Sequence, residues 1–396
     1  MALIVQKFGG SSVADAQRIF HVAEIITKTY QQGNSVCVVL SAQGDTTDDL
    51  IEKAREINPD ASRREMDMLL SCGEQMSIAL MAMAIEKLGF PVVSLCAWQI
   101  GMATDSNHSA AHITKVDCER VKEELDRKRI VLVAGFQGVD RTGDITTLGR
   151  GGSDTTAVAL AVALQADLCQ IYTDVDGVYT SDPRIVPEAR KLSEITYDEM
   201  LELASMGAQV LHNRSVELAK SYGVQLEVLS SFTGNPGTIV KEVVKKVEKT
   251  YITGVAQDKK IARFALVGLE DVPGVAYKLF NLLAKDKINV DMIIQSLGHD
   301  ERKDIIFTVA DKDSMACARL LDENKDVLKY DHMDINTGVS KVSIVGAGML
   351  ENAGVAAKMF EALYQAHINI HMISTSEIKV SVLVDERDAD RAVQAI

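Results

Sequence analysis

The stretch Thr147-Leu148-Gly149-Arg150-Gly151-Gly152-Ser153-Asp154-Thr155-Thr156-Ala157 gathers three glycines, an arginine, an aspartate and four hydroxyl residues into eleven positions. An apolar, alanine-rich run, Val158–Leu164, follows and predicts a buried helix. Glycines let backbone N–H groups come close to a ligand. A helix start adds unpaired N–H groups and a partial positive charge. Together they favour a phosphate or a carboxylate. Arg150 can add a two-pronged grip on a carboxylate. A plain glycine turn capped by Ser153 or Thr156 is the simpler alternative. The density of polar groups favours the anion site.

Two further stretches carry chemistry. Lys7-Phe8-Gly9-Gly10-Ser11-Ser12 closes a short apolar strand, Leu3-Ile4-Val5, and a helix begins near Val13 with Ser12 and Asp15 in capping-box spacing. Carboxyl ends of strands are where open α/β sheets bind ligands. A lysine there is a ready phosphate partner, although most lysines beside turns are merely solvated. Gln170-Ile171-Tyr172-Thr173-Asp174-Val175-Asp176-Gly177-Val178-Tyr179-Thr180-Ser181-Asp182-Pro183-Arg184 reads as a strand, an acidic turn and an extended segment. Ser41-Ala42-Gln43-Gly44-Asp45-Thr46-Thr47 is another polar loop after a strand, Ser35–Leu40. Glu74 lies beside Gly73 within the apolar helical run Arg63–Leu88, where a charge needs a partner or a function. Met66, Met76, Met81 and Met83 of that run read as core filler.

The elements that must position these residues alternate. Strands Pro91–Cys96, Ile130–Gly135 and Gln225–Leu229 are interleaved with helices Val116–Lys128, Tyr197–Ala204 and Leu211–Tyr222. That alternation predicts a mainly parallel sheet covered on both faces. The 396 residues suggest two or three domains, and 47% hydrophobic with 25% charged residues is ordinary globular composition. The net charge of −14 argues against a nucleic-acid partner. The six cysteines show no CxxC spacing and predict buried free thiols. No secretory leader pattern follows Met1, and no run reads as long enough to span a bilayer, so a cytoplasmic protein with no membrane partner is expected. Asp174-Val175-Asp176-Gly177 lacks the later calcium ligands of an EF-hand, and no glutamate follows His108 as a zinc HExxH would require. No metal site is predicted.

Beyond a lysine- and valine-rich run, Lys241–Lys249, read as an exposed connecting helix, the chain repeats itself. Gly274-Val275-Ala276-Tyr277-Lys278-Leu279-Phe280 returns as Gly354-Val355-Ala356-Ala357-Lys358-Met359-Phe360, an offset of 354 − 274 = 80. Ile288-Asn289-Val290-Asp291-Met292-Ile293 returns as Ile368-Asn369-Ile370-His371-Met372-Ile373 at the same offset. A fixed offset marks duplicated units. Each reads as the ferredoxin-like βαββαβ pattern. The second lacks a fourth strand before Ile396, and Thr250–Gln257 is the candidate to supply it, which would insert the first unit within the second. Asp271-Val272-Pro273-Gly274-Val275 offers a helix start for a carboxylate, with Asp271 or Asp291 for an ammonium. The second unit has Glu351-Asn352-Ala353-Gly354 instead, without the Pro-Gly pair, which puts a like site there in question.

The three motifs and the duplicated tail together closely resemble the monofunctional aspartokinases over nearly the whole chain. The resemblance implies a three-layer αβα amino-acid-kinase fold with a mainly parallel sheet, followed by two ferredoxin-like ACT units. It implies boundaries of 1–245 for the kinase domain, 262–338 for the first ACT unit, and 250–261 with 339–396 for the second. The implied reaction is phosphorylation of the side-chain carboxylate of L-aspartate by MgATP, the first step toward lysine, threonine and methionine, without an organic prosthetic group. Lys7 and Asp154 would be catalytic. Ser41, Thr47, Glu74, Arg150 and Ser153 would hold aspartate, with Arg150 on its α-carboxylate and Glu74 on its ammonium. Lys7, Phe8, Gly9, Gly10, Ser11, Gly151, Gly152, Thr173, Asp174, Tyr179 and Arg184 would line the ATP site. Asp271, Gly274, Val275, Ala276, Asn289, Asp291, Gln295, Asn369, Ile370, Thr375 and Ser376 would hold an effector, lysine or threonine or both. ACT sheets imply a homodimer or larger assembly. A glutamate or acetylglutamate kinase and a non-catalytic amino-acid sensor remain the alternatives.

Overall fold

Valine and leucine on both faces of Ser35–Leu40 leave no side of that strand for water. Val36, Val38 and Leu40 join one apolar cluster, while Cys37 and Val39 are equally buried opposite. Such a strand must lie inside a sheet covered on both sides. A computed structural model describes residues 2–205, 210–244, 251–296, 302–349, 352 and 354–396. They form two compact units. The first takes in residues 2–179, 190–205 and 210–244, the second the described residues of 180–189 and 251–396.

The first unit is built on eight strands: β1 (Leu3–Phe8), β2 (Ser35–Leu40), β3 (Val92–Leu95), β4 (Ile130–Ala134), β5 (Leu168–Thr173), β6 (Glu194–Thr196), β7 (Leu226–Ser230) and β8 (Thr238–Lys241). Their order is β6-β8-β7-β5-β1-β2-β4-β3. Every pairing is parallel except β7 with β8. Helices Ala16–Gln31 and Cys72–Lys87 cover one face through Val22, Ala23, Ile26, Ile78, Met81 and Ile85. Helix Gly152–Leu164 packs on β1, β2 and β5. A small four-stranded sheet carries Ile145–Thr147 immediately before the glycine-rich stretch.

Several local expectations change. The first helix is capped by Asp15, whose side chain accepts from the Arg18 N–H, and not by Ser12, which sits in a short 3-10 turn and bonds to Ser231. Val116 ends a strand, and the helix behind it runs Glu119–Asp126. Of the four methionines read as core filler, Met81 is fully buried, Met66 is partly buried, and Met76 and Met83 are 46% and 61% exposed. Arg63–Lys87 is, by length and composition, able to cross a membrane, against the expectation that no run is long enough. It breaks at Ser71 into helices Arg63–Leu70 and Cys72–Lys87, and buries Asp67 and Glu74 among its partners. Those features belong to a core helix pair.

In the second unit the strands are β9 (Gly254–Glu270), β10 (Val290–Gln295), β11 (Arg302–Ala310), β12 (His332–Val345), β13 (Met372–Thr375) and β14 (Lys379–Asp385). They form one antiparallel sheet ordered β10-β11-β9-β12-β14-β13. Residues Gly254–Asp258 of β9 pair with Val345–Lys341 of β12, beside the second repeat's β14. The later part of β9 pairs with β11 of the first repeat. Helices Val275–Lys285 and Val355–Gln365 start from glycines of matching conformation, Gly274 at φ 94° and Gly354 at φ 96°. Of the connecting run, Lys241 ends β8, while residues 245–249 lie outside the described residues, as do Thr250, Glu351 and Ala353.

Candidate active site

β1, β2 and β5 run parallel, so their carboxyl ends open on the same edge, where helix Gly152–Leu164 also begins. A cleft of about 320 Å³ lies there, lined by Lys7, Gly9, Gly10, Ser41, Ala42, Gly44, Thr47, Glu74, Phe136, Gly149, Arg150, Gly151, Gly152, Ser153 and Asp154. The Lys7 Nζ lies 2.7 Å from the Asp154 carboxylate, and both side chains are nearly enclosed, at 11% and 13% exposure. Asp154 is in the first turn of its helix, where the dipole favours a negative charge.

The glycines are needed for space. A Cβ on Gly10 would stand 2.6 Å from the Ala42 carbonyl oxygen. Gly151 precedes the helix at φ 70°, and a Cβ there would meet the His212 ring at 2.2 Å. Gly135 leaves room for the Ser153 hydroxyl, 2.7 Å from where its Cβ would be. The glycines let the backbone come close to an anion at the helix start, where the Gly152 N–H already donates to the Gly149 carbonyl at 3.0 Å.

Glu74 lines the same cleft from the first turn of Cys72–Lys87. One of its oxygens accepts from the Ala42 N–H at 3.2 Å, and the other is buried without a partner among the described residues. Burial pushes its carboxyl up to about 8, against the weaker pull of backbone N–H groups. A buried carboxylate oxygen facing a cleft without a donor is a place for a cation. Arg150 is exposed at the cleft and has no ion-pair partner among the described residues.

Other sequence-predicted residues fall around or away from this cleft. Phe8 turns its ring into the core and stacks on Tyr172 at 4.4 Å, leaving only its backbone for a ligand. The Ser11 carbonyl accepts from Arg18. Thr173 caps its own turn through the Val175 N–H, and Asp174 is exposed. The Tyr179 hydroxyl donates to Asp176 at 2.6 Å. Arg184 belongs to the second unit and grips Asp182 at 2.7 Å. In the second unit Asp271 pairs with Lys303 at 2.9 Å, and Asp291 pairs with Lys341. A cleft of about 320 Å³ at the start of helix Val355–Gln365 contains Asn352, Gly354, Thr375 and Ser376. His108, Asp140 and Asp144 hold ligand-type atoms within 4.8 Å of one another, but Asp140 already accepts from Ser106 and Thr142. His212 escaped the sequence reading. Its ring packs on Gly151, and burial lowers its pKa while Asp154 opposes the shift.

A lysine-bearing glycine turn thus meets a glycine-rich helix start at one edge of a mainly parallel sheet. The amino acid kinase family model matches residues 2–230, and an ACT domain model matches 264–324 and 342–396. An aspartokinase of Bacillus sp. (strain MGA3) is 49% identical over 396 residues, covering 100% of this chain and 96% of that one. One of Mycolicibacterium smegmatis is 50% identical over 401 residues, covering 100% and 95%. Among solved structures, E. coli aspartokinase III in complex with aspartate and ADP is 26% identical with a TM-score of 0.84, covering 99% and 98% of the two chains. This chain belongs to the aspartokinases, within the amino acid kinase family.

Proposed function

We propose that the cleft phosphorylates L-aspartate on its side-chain carboxylate, with MgATP as co-substrate, through the residues named below. The acceptor has a reference pKa of about 3.9 and is ionised at neutral pH, so no base is needed. One carboxylate oxygen bonds to the γ-phosphorus as the bond to the β,γ-bridging oxygen breaks, releasing ADP. The protein's task is to align two anions and stabilise the charge on attacking, transferred and leaving oxygens. Lys7, with the N–H groups of Gly9, Gly10 and Gly151, suits that task, and Gly152 gives the backbone room beside them. Asp154, 2.7 Å from Lys7, orients the ammonium. Arg150 takes the α-carboxylate of aspartate and Glu74 its ammonium, with Ser41, Thr47 and Ser153 beside them. Thr173, Asp174 and Tyr179 serve the nucleotide.

The observation carrying this reading is a single cleft with the Lys7–Asp154 pair, a free guanidinium and an unpartnered buried carboxylate oxygen. An N-acylated acid fits less well, because acylation removes the ammonium that Glu74 would receive. Aspartate-dependent ADP release tests the reading, with glutamate and acetylglutamate as competitors; turnover of either in preference to aspartate refutes it.

The tail is read as regulatory. E. coli aspartokinase III has also been solved with lysine and aspartate, at a TM-score of 0.76 and 26% identity. Lysine, threonine or both are the proposed effectors here. Asp271, Gly274, Val275, Ala276, Asn289, Asp291 and Gln295 form the first proposed site; Asn369, Ile370, Thr375 and Ser376 form the second. The cleft at Thr375 and Ser376 supports a binding role for the second repeat despite its missing Pro-Gly pair. The proposed domains are 1–245, 262–338, and 250–261 with 339–396, the interleaving supported by the pairing of Gly254–Asp258 with Val345–Lys341. A homo-oligomer joined through the ACT units, working in the cytoplasm, completes the reading.

A further inference from the structure

Asp67, on helix Arg63–Leu70, lies outside every motif that the phosphoryl-transfer reading uses, yet its side chain is completely buried. A buried carboxylate is costly unless donors surround it. Here they do. The Thr147 N–H and hydroxyl donate at 3.0 and 2.7 Å. The Ser109 N–H donates at 2.9 Å and its hydroxyl at 3.2 Å, and His108 Nδ1 lies 3.0 Å away.

These donors come from the two short stretches that shape the turn carrying Arg150. Thr147 precedes Arg150 by three residues. The Ser109 carbonyl oxygen sits 2.9 Å from where a Cβ on Gly149 would be, so the two stretches are in close contact. A second helix, Asn213–Tyr222, holds the same peptides through Arg214. Its guanidinium donates to the Leu148 carbonyl at 2.9 Å and to the Ala111 carbonyl at 2.8 Å. The Ala111 N–H closes the arrangement by donating to the Thr147 carbonyl at 2.9 Å. Arg150 itself has no ion-pair partner among the described residues to hold its guanidinium, so the backbone that carries it fixes where its side chain starts.

We infer that Asp67 is a positioning residue for aspartate: it fixes Thr147-Leu148-Gly149 so that Arg150 meets the α-carboxylate. The inference rests on the reading of Arg150 as the carboxylate clamp. Because that contact forms in the bound ground state, its loss raises KM for aspartate rather than lowering kcat.

A mutant cycle tests it. Asp67→Asn keeps the size but turns one acceptor into a donor facing donors. It is expected to raise KM for aspartate about tenfold, the scale of one lost charge-assisted hydrogen bond, with KM for ATP within about twofold. In an Arg150→Ala background the same change should add less than about twofold, because coupled residues are not additive. If the two effects multiply, or if both KM values rise together, Asp67 is a structural staple and the inference falls while the Arg150 reading stands. If Arg150→Ala alone leaves KM for aspartate unchanged, the clamp reading falls first. Should Asp67→Asn fail to fold, Thr147→Val against Thr147→Ser decides. A raised KM for aspartate only in the valine variant upholds the inference, and equal values for the two variants overturn it.

Discussion

Lys7 and Glu74 define what the site asks of single residues. Lys7 has its ammonium held by Asp154 at 2.7 Å. Lys7→Ala should abolish aspartate-dependent ADP release while a thermal melt stays close to wild type; near-normal kcat would remove the lysine from the chemistry. Glu74 makes a pH prediction. Its carboxyl is pushed up to about 8 by burial, so the folded protein holds a proton that the unfolded chain has already lost. Stability from that proton is complete below the carboxyl's ordinary range and fades as pH rises through about 8. The ligand-free protein should therefore melt lower at pH 9 than at pH 6, and Glu74→Gln should flatten this slope. An aspartate ammonium requires the ionised form. KM for aspartate should thus fall as pH rises toward 8 in the wild type, and lose that trend in Glu74→Gln, measured with ATP saturating. A parallel rise in KM for ATP would point instead to a structural role.

At the scale of elements, the helix Gly152–Leu164 is productive only if the residue before it is glycine. Gly151→Ala combines a left-handed backbone with a Cβ placed 2.2 Å from His212, so it should lower Tm by several degrees and remove most activity. Gly33→Ala is the control. Its φ is also positive, 86°, but nothing stands within 4 Å, and the cost should stay near about 1 kcal/mol with activity intact, as a chemical melt and an activity assay can show. The elements themselves were legible in the sequence, because both-sided apolar runs such as Val36–Leu40 can only be interior strands. The placing of Lys7, Gly10 and Arg150 at one cleft was legible too, because each sits at a local feature: a strand end, a turn, a helix start. What stayed hidden depends on contacts between distant stretches. Asp67 meets Thr147 across 80 positions, and Arg214 meets Leu148 across 66. Ser12, which bonds to Ser231 across 219 positions and leaves the cap to Asp15, and the exposed Met76 and Met83 were misread for the same reason: neighbours off the local helix decide them.

For the molecule as a whole, regulation requires an effector that binds one arrangement of the enzyme better than another. Lysine, threonine or the two together should lower the rate of ADP release. Asp271→Ala should leave the effector-free kcat within about twofold and raise the half-inhibiting concentration about tenfold, within the usual range of allosteric coupling. Full inhibition at the wild-type concentration would clear Asp271 of that role. Within the second unit, one feature of the sheet goes further. β9 and β12 each run through both repeats, inner to one and outer to the other. The two halves consequently have no seam along which to come apart. Amide exchange in β10 and in β13, at opposite edges, should be limited by one shared opening event, and loosening either edge should be felt at the other through continuous backbone.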